Sequence, residues 1–241
     1  MATPPQNIYI IGAQSTGKTT LVIALEAHFR QDTSSSLPVP SVIREVARSV
    51  LRDHDYTAQD IRDSPARALE LQRLILAAQA KAERETEEKA ASASTTPCWL
   101  LSDRSAIDPV VYAWLYVGQE SARSLMESAE WRGMRDRMAQ SLVVVCEAGV
   151  KWLTDDGVRL MPTGSDEWTK THEVFCQVLE EARLRYILLP CTLGRTEERL
   201  AFVLREVNAP GRASEKTPSY IPGLTPFPAL VSHTEPRIRD E

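Results

Sequence analysis

Short apolar runs alternate with longer stretches of helical period along this chain. A parallel sheet whose strands are joined by crossover helices leaves that pattern in a sequence. The candidate strands are Ile8–Ile11, Val39–Ile43, Trp99–Leu101, Leu142–Cys146 and Tyr186–Leu189. Between them Ile107, Val110, Val111, Trp114 and Leu115 recur at i, i+3, i+4, i+7 and i+8, and Leu200, Val203, Leu204 and Val207 repeat the stripe. Both stripes predict amphipathic helices laid against a sheet. Leu69 to Ala91, rich in Ala, Glu, Lys and Arg, predicts another helix whose second half loses its apolar face and runs into a Ser/Thr/Pro loop.

The apolar period stops at Asn208, after which six prolines fall in 34 residues with four basic and four acidic side chains. A segment of this kind has little to bury and is expected to be a separable, disordered tail, neutral overall and a candidate for contact with a protein partner. The 241 residues otherwise suffice for one full domain with a real core. With 28 basic and 33 acidic residues the net charge is −5, which excludes the broad positive field that nucleic-acid backbones attract. The four cysteines, at 98, 146, 176 and 191, form no Cys-x-x-Cys pair and read as reduced thiols. No basic leader precedes the first strand, and no run approaches membrane length. The expectation is a cytoplasmic protein without integral membrane association.

Directly after the first strand stands Gly12-Ala13-Gln14-Ser15-Thr16-Gly17-Lys18-Thr19, a full match to G-x-x-x-x-G-K-[ST], followed by an apolar helix from Thr20 to Phe29. The glycines let backbone N–H groups turn inward, and the helix N-terminus adds partial positive charge, so a polyphosphate fits there. Gly12, Gln14, Ser15, Thr16, Gly17, Lys18, Thr19 and Thr20 are the expected nucleotide-binding residues. Lys18 would reach the β- and γ-phosphates and Thr19 would ligate Mg²⁺. On this reading residues 1–6 are an extension, 7–207 the P-loop domain and 208–241 the tail.

A magnesium–nucleotide site also needs an acid at a neighbouring strand end, and two apolar runs supply one, at Asp103 and at Glu147. Asp103 is favoured, because Arg104 and Asp108 follow it one helical turn apart and can pair at the mouth of the sheet. Its other reading is a helix N-cap. The second strand ends in Ile43-Arg44-Glu45-Val46-Ala47-Arg48. Glu45 there is either the acceptor of a substrate hydroxyl's proton or simply the partner of Arg48. The polar stretch from Lys151 to Asp166 has the composition of a flap, with Arg159, and after it Lys151, as the cation offered to the transferred phosphoryl group; the alternative is a plain exposed connection. His172 and Cys176 lie four apart but lack further ligands for zinc.

With these residues in hand the chain resembles the P-loop ATPase domains of the NadR/TRPL-translocation-defect type, an AAA-related family that includes a nicotinamide riboside kinase. The landmarks are Gly12 to Leu21, Arg44-Glu-Val-Ala-Arg48, Asp103-Arg104-Ser105, Asp155-Asp-Gly-Val-Arg159 and Gly194-Arg-Thr-Glu-Glu-Arg199. The Asp103-Arg-Ser turn is also similar to the Glu-Arg-Ser motif of deoxynucleoside kinases. The resemblance implies an α/β kinase-type P-loop fold: a three-layer sandwich around a five-stranded parallel sheet in the order 2-3-1-4-5, with a small lid. It further implies Asp103 beside the phosphate loop, Glu45 and Asp103 facing the acceptor, and the loop from Gly194 to Arg199 against the adenine, with Lys18, Glu45, Asp103, Arg104 and Arg159 as the expected catalytic residues. The activity expected is transfer of the γ-phosphoryl group of Mg-ATP, or of GTP, to a nucleoside-like small molecule. A nucleotide-dependent switch is the rival. An AAA+-like motor ranks last, because there is no Asp-Glu pair at a strand end. The expectation is of a kinase-type domain alone, without the adenylyltransferase domain that NadR carries beside its kinase.

Overall fold

The computed structural model describes residues 7–32, 38–93, 99–149 and 165–208. The strands are β1 (Ile8–Gly12), β2 (Ser41–Ile43), β3 (Leu100–Asp103), β4 (Leu142–Cys146) and β5 (Ile187–Leu189). They form one five-stranded sheet in the order β2-β3-β1-β4-β5, parallel at every pairing. The helices are α1 (Lys18–Gln31), α2 (Ala47–Asp53), α3 (Ala58–Asp63), α4 (Pro65–Ala93), α5 (Ile107–Tyr116), α6 (Gln119–Met126), α7 (Ala129–Met138), α8 (Ser165–Glu181) and α9 (Thr196–Val207).

Helices cover both sheet faces, which is why the strands read as nearly unbroken apolar runs. Successive side chains of a strand point to opposite faces. Tyr9, Ile11, Val143 and Val145 therefore enter one core with Val110, Val111, Phe175 and Val178 of α5 and α8. Ile8, Ile10, Val144 and Cys146 enter the other, with Leu21, Val22 and Leu25 of α1 and Val203 of α9. Trp99 closes the second core edge-on to Phe29, their ring centroids 4.9 Å apart. The three layers and the strand order expected from the resemblance are both present.

A third, smaller core joins Val50 of α2 and Ile61 of α3 to Ala68, Leu71 and Ile75 in the first turns of α4. The apolar period did not indicate α2 and α3, since seven and six residues hold too few turns to establish one. Several boundaries also moved. The helix expected from Thr20 begins at Lys18, because Gly17 in the left-handed region (φ 79°) turns the chain straight into it. The strand expected to end at Leu101 continues through Asp103, which pairs in register with Ile10.

Candidate active site

The phosphate loop runs from the end of β1 into the first turn of α1. Gly12 pairs with Cys146 of β4 at φ 129°, and a Cβ there would stand 2.5 Å from the Cys146 carbonyl oxygen. Only glycine fits, so this loop position is set by close backbone approach as well as by the turn. Thr16 Oγ1 donates to the Ala13 carbonyl at 2.8 Å, and Lys18 Nζ donates to the same oxygen at 2.5 Å. The loop's own carbonyl thus accepts from the ammonium. Lys18 is buried, and that desolvation, with a smaller push from nearby Arg104, lowers its pKa from 10.5 to about 8. An arriving phosphate would favour the charged form and reverse the shift.

Asp103 sits at the carboxyl end of β3, next to β1, and its Oδ2 accepts from Thr19 Oγ1 at 2.7 Å. The two residues expected to hold magnesium are therefore in contact. Asp103 Oδ1 is buried and has no partner among the described residues. An unpaired carboxylate oxygen beside a threonine hydroxyl is an oxygen donor set that suits a hard divalent cation, which draws its remaining ligands from water and phosphate. Asp103 is no helix cap: α5 starts four residues later, where Ser105 Oγ accepts from the Ile107 N–H at 3.0 Å. Glu147, its competitor, points the other way and accepts from the Cys191 N–H at 2.9 Å.

Arg104 lies between two carboxylates. Its Nε donates to Glu45 Oε1 at 2.7 Å and its Nη1 to Asp108 Oδ1 at 2.9 Å, while Asp108 Oδ2 accepts the Ser105 N–H at 2.9 Å. The backbone of Arg104 is left-handed (φ 83°), a conformation costing a non-glycine residue about 1–3 kcal/mol. The Arg104 N–H bonded to the Ile10 carbonyl at 3.0 Å helps to hold it. Burial works to raise the Glu45 pKa, but Arg104 and the hydrogen bond from Arg48 outweigh it and bring it down to about 2. Asp108 moves upward, because burial exceeds the help from Arg104. Glu45 does pair with Arg48, at 2.9 Å, as one of its two readings held. Its pairing with Arg104, 59 residues away, was not foreseen.

Two cavities flank the loop. One, of about 240 Å³, is lined by Gly17, Thr20 and Leu21 at the start of α1 and by Gly194, Thr196 and Arg199 around the start of α9. This is the side where the resemblance put the adenine. Arg199 is buried there and donates from Nη2 to the Thr16 carbonyl at 2.8 Å, tying α9 to the phosphate loop. The other cavity, of about 330 Å³, has Gln14, Glu45, Arg104 and Asp108 at the loop end and Leu51, Ile61 and Ile75 farther out. Gln14 is set by Tyr112, whose hydroxyl donates to Oε1 at 2.9 Å, and by Trp168, whose Nε1 donates to its carbonyl at 2.9 Å. The sequence reading missed Tyr112, Trp168 and the Arg199 contact because none shares a local motif with the loop. Arg159 and Lys151 lie outside the described residues, as does the expected tail.

His172 Nε2 and Cys176 Sγ stand 4.0 Å apart, and among the described residues no three His, Cys, Asp or Glu side chains gather as a metal site. None of the described helices is long and apolar enough to cross a membrane.

The sequence matches the AAA domain family over residues 7–199, most of its length. The chain belongs to that family. No curated protein matches it significantly. Solved structures do: a NadR protein in complex with NR superimposes with a TM-score of 0.59 at 20% identity over 90% of this chain. A NadR protein in complex with NAD and AMP-PNP gives 0.57 at 18% identity, again over 90%. This AAA domain spans about half of those chains, 54% and 52% respectively. The likeness establishes a P-loop, kinase-like fold for it.

Proposed function

We propose that this protein is an ATP-dependent small-molecule kinase that transfers the γ-phosphoryl group of Mg-ATP to a hydroxyl of a nucleoside-like acceptor. The observation that carries the reading is the 330 Å³ cavity, whose charged end meets the phosphate loop through Gln14 and whose far end is apolar. A nucleotide switch needs a phosphate loop and a responsive segment, but no acceptor-sized hollow opening onto the transferred phosphate. Catalysis in such a site is mostly positioning and charge neutralisation.

Lys18 would leave the Ala13 carbonyl for the β- and γ-phosphates, and Thr19 with Asp103 would hold the magnesium, directly or through water. The ion supplies neutralisation of the phosphate oxygens. Gln14, Ser15, Thr16, Gly17 and Thr20 complete the cradle, and the base lies in the smaller cavity beside Gly194 and Arg199. Glu45, kept ionised by Arg104 and Arg48, accepts the hydrogen bond of the attacking hydroxyl. Its low proton affinity suits a transition state with little bonding to the nucleophile, where the proton leaves late. Arg104 fixes Glu45 and Asp108 relative to the loop, and Arg159 is the candidate cation for the developing charge.

Mg-ATP consumption measured with and without acceptors tests the proposal. Nicotinamide riboside comes first, because structures similar in fold are of NadR, followed by common nucleosides and polyols. ATP should be consumed only when an acceptor is present, with the phosphorylated product appearing in equal amount. Acceptor-independent turnover, or none across the panel while nucleotide alters proteolysis between residues 151 and 166, would overturn the kinase in favour of the switch. GTP in place of ATP decides the base preference.

A further inference from the structure

Three residues of the phosphate loop have positive φ, and two of them, Gly12 and Gly17, are glycines that adopt it freely. The third is Ser15, at φ 57°. A residue with a side chain is strained there and stays only where its surroundings hold it. The strain has a ready release. Turning the Gln14–Ser15 peptide over, through ψ of Gln14 and φ of Ser15, would return Ser15 to negative φ and exchange the directions of the Gln14 carbonyl and the Ser15 N–H.

What opposes that turn comes from far along the chain. Trp168, buried in the first turn of α8, donates its indole N–H to the Gln14 carbonyl at 2.9 Å. An indole nitrogen is a donor only, so it can hold this peptide by its carbonyl but offers nothing to the N–H that the overturned peptide would present. The ring packs against Ala13, with Ala148 and Cys191 beside it. Its neighbour Glu167 accepts from the Tyr116 hydroxyl at 2.8 Å and pairs with Arg62 of α3 at 3.7 Å, fastening the first turn of α8 to α5 and to the cap of the larger cavity. The Gln14–Ser15 peptide is trans, so the Ser15 N–H is directed opposite to the carbonyl, away from Trp168.

We propose that Trp168 is a positioning residue for the phosphate site: its indole N–H selects the orientation of the Gln14–Ser15 peptide in which the Ser15 N–H faces the β-phosphate of a bound nucleotide. The overturned peptide would aim a carbonyl oxygen at that phosphate, and the two negative groups would repel. The inference rests on the nucleotide reading of the loop and needs no acceptor, so it holds equally for a kinase and for a switch.

Two changes at one position test it. Trp168→Phe removes the N–H and keeps an aromatic ring, while benzothienylalanine placed at position 168 keeps the bicyclic shape with sulfur where the N–H stood, and decides the matter if phenylalanine loosens the fold. Binding of Mg-ATP, Mg-ADP and AMP to the full chain is measured by calorimetry. Both variants should bind ATP and ADP about three- to tenfold more weakly, the worth of one hydrogen bond, while AMP, which has no β-phosphate, changes by less than about twofold. Ser15→Gly should act as a rescue, because glycine takes positive φ without strain: added to Trp168→Phe, it should bring ADP affinity to within about twofold of that of Ser15→Gly alone. A tryptophan that merely fills space would weaken all three nucleotides alike when cut to phenylalanine, tolerate benzothienylalanine and gain nothing from Ser15→Gly. Any of those three results overturns the inference. If the unaltered protein binds neither ADP nor ATP, the nucleotide reading falls and the inference with it; if it binds them and a comparison fails, the inference alone falls.

Discussion

The two cavities on either side of the phosphate loop are built in opposite ways. The smaller is assembled from two short turns, at the starts of α1 and α9, each set by local turn and helix chemistry and joined by the Arg199 contact to Thr16. The larger takes side chains from α2, α3, α4, α5 and the loop after β2, segments that are remote in sequence and converge only when the sheet is formed. The first is suited to what all P-loop proteins share, a nucleotide. On the proposed kinase reading the second would hold the acceptor, and most of the unforeseen contacts lie around it: Arg104 with Glu45, Tyr112 with Gln14, Gln79 with Ser102.

Substitutions can pull the halves apart. The largest effect is expected at Glu45 in the acceptor half: Glu45→Gln should lower turnover by about 10²- to 10⁴-fold while ATP affinity, read by calorimetry, barely moves. Equal losses in both would place Glu45 in the nucleotide site instead. Lys18→Ala should do the converse, abolishing the thermal stabilisation by Mg-ATP and costing about 10²- to 10³-fold in rate, with acceptor binding preserved. Asp103→Asn should weaken the response to magnesium as well as the rate, visible as a higher metal concentration at half-maximal activity.

A smaller effect is carried by pH. The Lys18 pKa of about 8 in the free protein means the ammonium is charged below that pH and increasingly neutral above it. Because phosphate favours the charged form, ATP affinity should be level below about pH 8 and fall above it, by at most tenfold per pH unit, with proton uptake on binding. The free fold should show the opposite sign. The unfolded chain, with an ordinary lysine near 10.5, holds the proton more tightly, so the destabilisation at Lys18 is relieved as pH rises from 8 to 10.5. Lys18→Met should flatten both trends. The smallest effect is expected from removing residues 209–241, which should shift the melting temperature by less than about 2 °C, since a proline-rich segment without apolar period has little to bury. A drop of many degrees would place the tail against the domain.

Much of the fold was legible in the sequence because parallel strands buried on both faces are short unbroken apolar runs, and because α1, α5 and α9 carry long stripes of period 3.6. The phosphate loop was legible for a similar reason: its chemistry is made of adjacent backbone groups, so the motif is the site. Thr19 with Asp103 was an inference from strand ends that the sheet made real by setting β3 beside β1. The sequence by itself thus determined the strands, the main helices and the nucleotide half. The Arg104 pair with Asp108 was legible in their i, i+4 spacing, but only tertiary structure decided that Arg104 would enter a left-handed turn and take Glu45 as a second partner, and that α2 and α3 would close a cavity over α4. Those outcomes depend on contacts between residues tens of positions apart, which no local period or spacing encodes.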